Sequence, residues 1–180
     1  MKKLFTTLLR ELEANRAAVL CAIVASHGST PRGAGARMLV LEDGRTLGTI
    51  GGGAVEYRAT RLAGELLAEK ASRFETYRLS AGEVADVGMI CGGDVRVYFQ
   101  YVDPADAAAR KVLADALELL DGGHASWLVT EIAGGRWRMG TCDRENGLRG
   151  LDIPPARLEP LLGSRPLLDE VTFVPAENTT

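Results

Sequence analysis

A chain of 180 residues with a formal net charge of −3 and 25% charged residues has the balance of an ordinary globular protein. It is long enough to bury a real core as one domain, and its lack of a basic excess argues against general nucleic-acid binding. Cys21, Cys91 and Cys142 are an odd number of cysteines with no CxxC or Cys/His metal spacing, so the chain does not read as a secreted disulfide framework and a reducing cytoplasm is expected.

The N-terminal "MKKLFTTLLRELEANR" starts with two lysines, as a secretory signal does. Its apolar part is short, however, and is interrupted by Arg10, Glu11 and Glu13, so a signal peptide is not expected. No run approaches transmembrane length, and no membrane association is expected. Leu4, Leu8 and Leu12 share one helical face and predict a helix over 2–15. "AAVLCAIVAS" (17–26) reads as a strand buried on both faces. The turn formers of "HGSTPRGAG" (27–35) predict a loop.

"ARMLVLED" (36–43) and "TLGTI" (46–50) flank Asp43-Gly44 and predict a hairpin. After "GGG" (51–53), the segment 54–71 predicts a helix with Val55, Ala59, Leu62, Leu66 and Leu67 on one face. Strands are expected over 73–80 and 94–102, on either side of a second glycine-rich loop over 81–93. Pro104 opens a predicted helix over 104–121. A hairpin over 125–142 turns at Gly134-Gly135, a short helix follows at 154–164, and a last strand lies at 169–175. The fold class expected is α/β or α+β: a mixed sheet flanked by helices in a single domain over 1–175, with a loose tail at 176–180. The Asp43-Gly44 hairpin argues against an all-parallel sheet. Both glycine-rich loops are expected at one sheet edge, where a rigid sheet positions ligand-binding groups.

Three stretches carry candidate chemistry. "GSTPRGAGAR" offers the hydroxyls of Ser29 and Thr30, the guanidiniums of Arg32 and Arg37, and backbone amides at Gly33 and Gly35, an inventory suited to an oxyanion. The bland alternative is a surface turn with solvated arginines. In "TIGGGAVE", Gly51, Gly52 and Gly53 precede a helix and offer unpaired amides to an anion. Glu56 there either complements the helix dipole or bonds an amino group on a ligand ring.

In "GMICGG", the flanking glycines, including Gly92 and Gly93, leave the Cys91 sulfur approachable as a nucleophile or metal ligand. The alternative is an inert buried thiol, which is the reading for Cys21 and Cys142. Met89 reads as packing. His27 and His124 read as capping or surface residues, and Glu83 and Asp86 lack an identifiable third partner.

In this order and spacing, "GSTPRGAGARMLV", "DGRTLGTIGGGAVE" and "GMICGGDVRVYF" resemble the XdhC/CoxI family, accessory proteins of xanthine and carbon monoxide dehydrogenases, closely over about 10–102. The resemblance implies a maturation factor rather than an enzyme. Such a factor is a chaperone that binds molybdenum cofactor (molybdopterin), protects it, supports its sulfuration and delivers it to a molybdenum hydroxylase apo-enzyme. On that reading Ser29, Thr30, Arg32, Gly35, Arg37 and Gly51 to Gly53 hold the anionic end. Glu56 faces the pterin amino edge, and Cys91, between its glycines, contacts molybdenum or handles sulfur. A soft thiolate suits that metal centre.

The chain departs from the family in two places. Ala54 stands where many members have a cysteine. "VTFVPAENTT" does not open the GAGHV-type C-terminal Rossmann-like domain of many members, so a short form, one half of a split pair or a shortened chain is expected. The partners implied are the apo-enzyme, a cysteine desulfurase and a separate Rossmann-like chain, and a symmetric homodimer is compatible with the sequence. Two other readings compete with the chaperone: a sulfur-transfer or redox enzyme using Cys91, and a non-catalytic docking module.

Overall fold

The computed structural model describes residues 1–28, 35–79, 93–122, 126–133, 136–162 and 169–173. They form an α/β structure with two sheets and four helices among the described residues. Contacts divide the chain into two compact units, Arg10–Ala105 and Met1–Leu9 with Asp106–Thr180. The first helix, α1 (Lys2–Glu13), contributes residues to each.

The Arg10–Ala105 unit contains β1 (Ala18–Gly28), β2 (Arg37–Leu41), β3 (Thr46–Gly48), α2 (Gly53–Glu69), β4 (Arg73–Leu79) and β5 (Gly93–Val102). Its sheet has the order β3-β2-β1-β5-β4, and every neighbouring pair is antiparallel. Period-2 alternation sends Val19, Cys21 and Ile23 of β1, Met38 and Val40 of β2, and Val97 and Phe99 of β5 to one core. There they pack with Ala59, Ala63 and Leu66 of α2. The alanines let the helix lie close to the sheet. The expected hairpin turns at Asp43-Gly44, where Gly44 has φ 81° and Asp43 Oδ1 accepts the Arg45 amide at 3.0 Å.

Strand β1 runs further than local signals suggest. His27 and Gly28, predicted as loop, pair with Asp94 and Gly93 of β5, after a register shift between Ile23 and Ala25. Cross-strand hydrogen bonding outweighs the turn preference of these residues.

The other unit contains α3 (Ala107–Gly122), β6 (Ser126–Ala133), β7 (Arg136–Asp143), β8 (Gly147–Arg149), α4 (Pro155–Leu158) with a 3-10 turn over Glu159–Leu161, and β9 (Asp169–Phe173). Its sheet order is β8-β7-β6-β9, and β6 and β9 are parallel, so this sheet is mixed. Trp127, Val129, Cys142, Ile153 and Leu158 form its core cluster. Helix α3 starts later than Pro104 suggests, because the Asp106 carboxylate accepts the Ala109 amide at 3.0 Å and acts as the N-cap.

Candidate functional site

Antiparallel order points one end of each strand of the first sheet in the same direction: Gly28 of β1, Arg37 of β2, Gly48 of β3, Leu79 of β4 and Gly93 of β5. Arg37 stands opposite Ala22, whereas Gly93 stands opposite both Gly28 and Leu79. The β1-β5-β4 ribbon therefore runs about 20 Å beyond β2. Helix α2 flanks that ribbon, for the Arg58 guanidinium carbon lies 5.2 Å from the centroid of the Tyr77 ring.

The expected site residues Ser29, Thr30, Arg32, Cys91 and Gly92 lie outside the described residues, as do His124, Met89, Glu83, Asp86 and the tail at 176–180. In sequence they follow Gly28 or precede Gly93 at the paired positions above, except for His124 and the tail. Gly35 has φ 90°, in the region that favours glycine, and its amide donates to the Ile23 carbonyl at 2.9 Å. Arg37 is only 7% exposed. Its carbonyl accepts the Thr49 amide at 2.9 Å, which ties the start of β2 to the triple-glycine turn.

That turn is built around Glu56. Gly51, Gly52 and Gly53 have φ of 131°, 76° and 59°, three successive positive values that an L side chain resists. One carboxylate oxygen, Glu56 Oε2, accepts from Thr49 Oγ1 at 2.5 Å, from the Gly52 amide at 3.0 Å and from the Ile50 amide at 3.3 Å. Thr49 Oγ1 in turn accepts the Gly51 amide at 3.1 Å. The chain's own groups thus engage two of the three glycine amides that the sequence offers to a ligand anion. Sequence reasoning missed this clasp. The available signal was a threonine and a glutamate bracketing the glycines in "TIGGGAVE". A Cβ placed on Gly52 would meet nothing within 4 Å, so the turn borders open space on that side.

Cys21 is fully buried, and burial, reinforced by the Glu56 charge, pushes its thiol pKa far up. Cys142 is also buried, and burial and then the Asp143 charge raise its thiol pKa. Both thiols are inert in these surroundings, as the sequence suggests.

A second charged centre, not signalled by the sequence, lies at the β7–β8 turn. Asp143 accepts the Glu145 amide at 2.8 Å, the Asn146 amide at 2.6 Å, Asn146 Nδ2 at 3.1 Å and Arg149 Nη2 at 2.8 Å. Burial pushes its carboxyl pKa up, but the Asn146 amide, Arg149 and its other donors outweigh this and pull it down to about 2. A cavity of about 540 Å³ beside it is lined by Asp115, Glu118, Asn146 and Arg149, among others. With its oxygens so engaged, Asp143 braces the turn. Among the described residues no group of three or more His, Cys, Asp or Glu is placed to hold a metal ion. No helix there is long and apolar enough to cross a membrane.

An antiparallel sheet backed by a helix, with a clasped triple-glycine turn at one edge, defines an α/β protein whose candidate site is made mainly of backbone. Residues 11–78, which include that turn, match the XdhC and CoxI family. YqeB, an uncharacterised protein of Escherichia coli strain K12, is 38% identical over 130 residues, 72% of this chain and 22% of that protein. The crystal structure of a xanthine dehydrogenase from Bacillus halodurans matches with a TM-score of 0.66 at 25% identity, covering 91% of this chain and 50% of that one. The chain therefore spans about a fifth of one relative and half of the other.

Proposed function

We propose that the chain is an accessory factor for xanthine dehydrogenase-type molybdenum hydroxylases, which binds molybdenum cofactor as cargo, protects it, supports its sulfuration and delivers it to the apo-enzyme. The observation that carries this reading is the match of residues 11–78, which contain the triple-glycine turn and Arg37, to the XdhC and CoxI family. The donor set fits the cargo. Ser29, Thr30 and Arg32, with the Gly53 amide, are assigned to the phosphate end, while the amides of Gly35, Gly51 and Gly52 are held by Ile23, Thr49 and Glu56 and shape the backbone around it. Buried Arg37 contributes positive potential and anchors the turn. Cys91, flanked by Gly92 and Gly93, meets the molybdenum or its sulfur as a soft thiolate. Glu56 serves the site by fastening the glycine turn; an amino group of the pterin ring finds Oε2 already accepting three hydrogen bonds.

The test is retention of cargo. Purified protein is incubated anaerobically with isolated molybdenum cofactor, free cofactor is removed by gel filtration, and pterin and molybdenum are counted per chain. Near-stoichiometric retention by the wild type, reduced by Cys91→Ala or Arg32→Ala, is expected. Catalytic release of sulfur that Cys91→Ala abolishes while retention stays intact would favour the sulfur-transfer reading instead. Absence of retention by the wild type would contradict the proposal.

A further inference from the structure

In helix α2 the first-turn acid, Glu56, is bound into the glycine turn. Arg61 and Glu65 lie 3.9 Å apart, whereas Arg58 has no ion pair among the described residues. Its guanidinium sits instead over the buried ring of Tyr77, 5.2 Å from the centroid. Contact with an aromatic face positions a guanidinium while leaving its in-plane N–H groups to donate to an oxyanion. The preceding residue, Tyr57, is 67% exposed and is, with Met1, one of two large exposed apolar side chains among the described residues. An exposed tyrosine is a stacking surface for a planar heterocycle.

We propose that Arg58 and Tyr57 are ligand-contacting residues of the triple-glycine site, Arg58 binding a phosphate or diphosphate group and Tyr57 stacking on the planar ring attached to it. The assignment rests on the accessory-factor reading for the identity of the ligand, and on the Arg58–Tyr77 contact and the exposure of Tyr57 for the residues. It extends the site from the turn along α2, with Arg58 on the side that meets β4 and Tyr57 exposed beside it, and assigns opposite ends of one ligand to two neighbouring residues.

The test uses the full chain and three probes in calorimetric titrations: molybdenum cofactor, inorganic pyrophosphate and a phosphate-free pterin. Arg58→Gln is expected to weaken binding of cofactor and pyrophosphate about tenfold and to leave the pterin unchanged. Arg58→Lys, which keeps the charge without the fork, falls between. Tyr57→Ala is expected to weaken cofactor and pterin about tenfold and to spare pyrophosphate, while Tyr57→Phe binds as the wild type does. Both side chains are exposed, so melting temperatures should match the wild type; where Arg58→Gln melts lower, Arg58→Lys decides. Wild-type binding of pyrophosphate and pterin without the molybdenum cofactor would sink the accessory-factor reading and leave this assignment standing. Unchanged pyrophosphate binding by Arg58→Gln, unchanged pterin binding by Tyr57→Ala, or no binding of either probe by the wild type would overturn it.

Discussion

The Glu56 carboxylate holds Thr49 and the amides of Ile50 and Gly52 on a single oxygen. Removing it leaves those donors without their acceptor at a turn of three positive-φ residues. Glu56→Ala is therefore expected to cost about 1–3 kcal/mol in urea unfolding, with Glu56→Gln costing less because its carbonyl still accepts. Gly52→Ala meets no atom in space, so its cost comes from the backbone alone, at φ 76° and ψ −172° in a region held almost only by glycine, and is expected at about 1–3 kcal/mol. Asp143 supports a pH prediction. Its folded pKa, about 2, lies below the ordinary carboxylate value. Its stabilisation is therefore full above about pH 4 and is lost as pH falls through the folded value. Denaturant titrations between pH 5 and pH 2 should show on the order of 1–2 kcal/mol more acid-dependent stability in the wild type than in Asp143→Asn. Equal pH slopes would remove the Asp143 brace. At this scale the sequence reveals which residue types are present but not which pairs meet. "TIGGGAVE" displays a glutamate near a helix start, yet its hydrogen bonds to Thr49 and Gly52 exist only once the three glycines take positive φ.

Elements with strong periodicity are legible in the chain. The spacing of Ala59, Leu62 and Leu66 marks the sheet-facing side of α2, and Asp43-Gly44 marks the β2–β3 hairpin. What escaped is set by pairing rather than by local pattern. Strand β8 is three residues long and exists through its ladder with Thr141, Cys142 and Asp143, and the far end of β1 exists through β5. Helix α2 ends on Lys70 in the left-handed region, at φ 53°, with its amide donating to the Leu66 carbonyl. Glycine is free of the Cβ penalty there, so Lys70→Gly is expected to raise stability by about 0.5–1 kcal/mol in thermal or urea unfolding. Leu66, fully buried among Ala59, Ala63 and the sheet, is the counterpart on the packed side. Its truncation to alanine is expected to cost about 2–5 kcal/mol by the same measurement.

At the scale of the whole molecule, the fold class expected from the sequence agrees with the α/β structure, its strands shared between two sheets. Antiparallel order in the first sheet points the Gly28, Arg37, Gly48, Leu79 and Gly93 ends the same way, with Gly28, Leu79 and Gly93 about 20 Å beyond Arg37 and Gly48. The central claim is that the chain carries molybdenum cofactor to an enzyme, and transfer tests it most directly. Protein loaded with cofactor and freed of excess is mixed anaerobically with cofactor-free xanthine dehydrogenase, beside an equal amount of free cofactor, and dehydrogenase activity is followed. The account predicts faster and more complete activation by the loaded protein than by free cofactor, with molybdenum leaving the chain as activity appears. Activation no better than with free cofactor, or molybdenum that stays on the chain while the enzyme remains inactive, would contradict it.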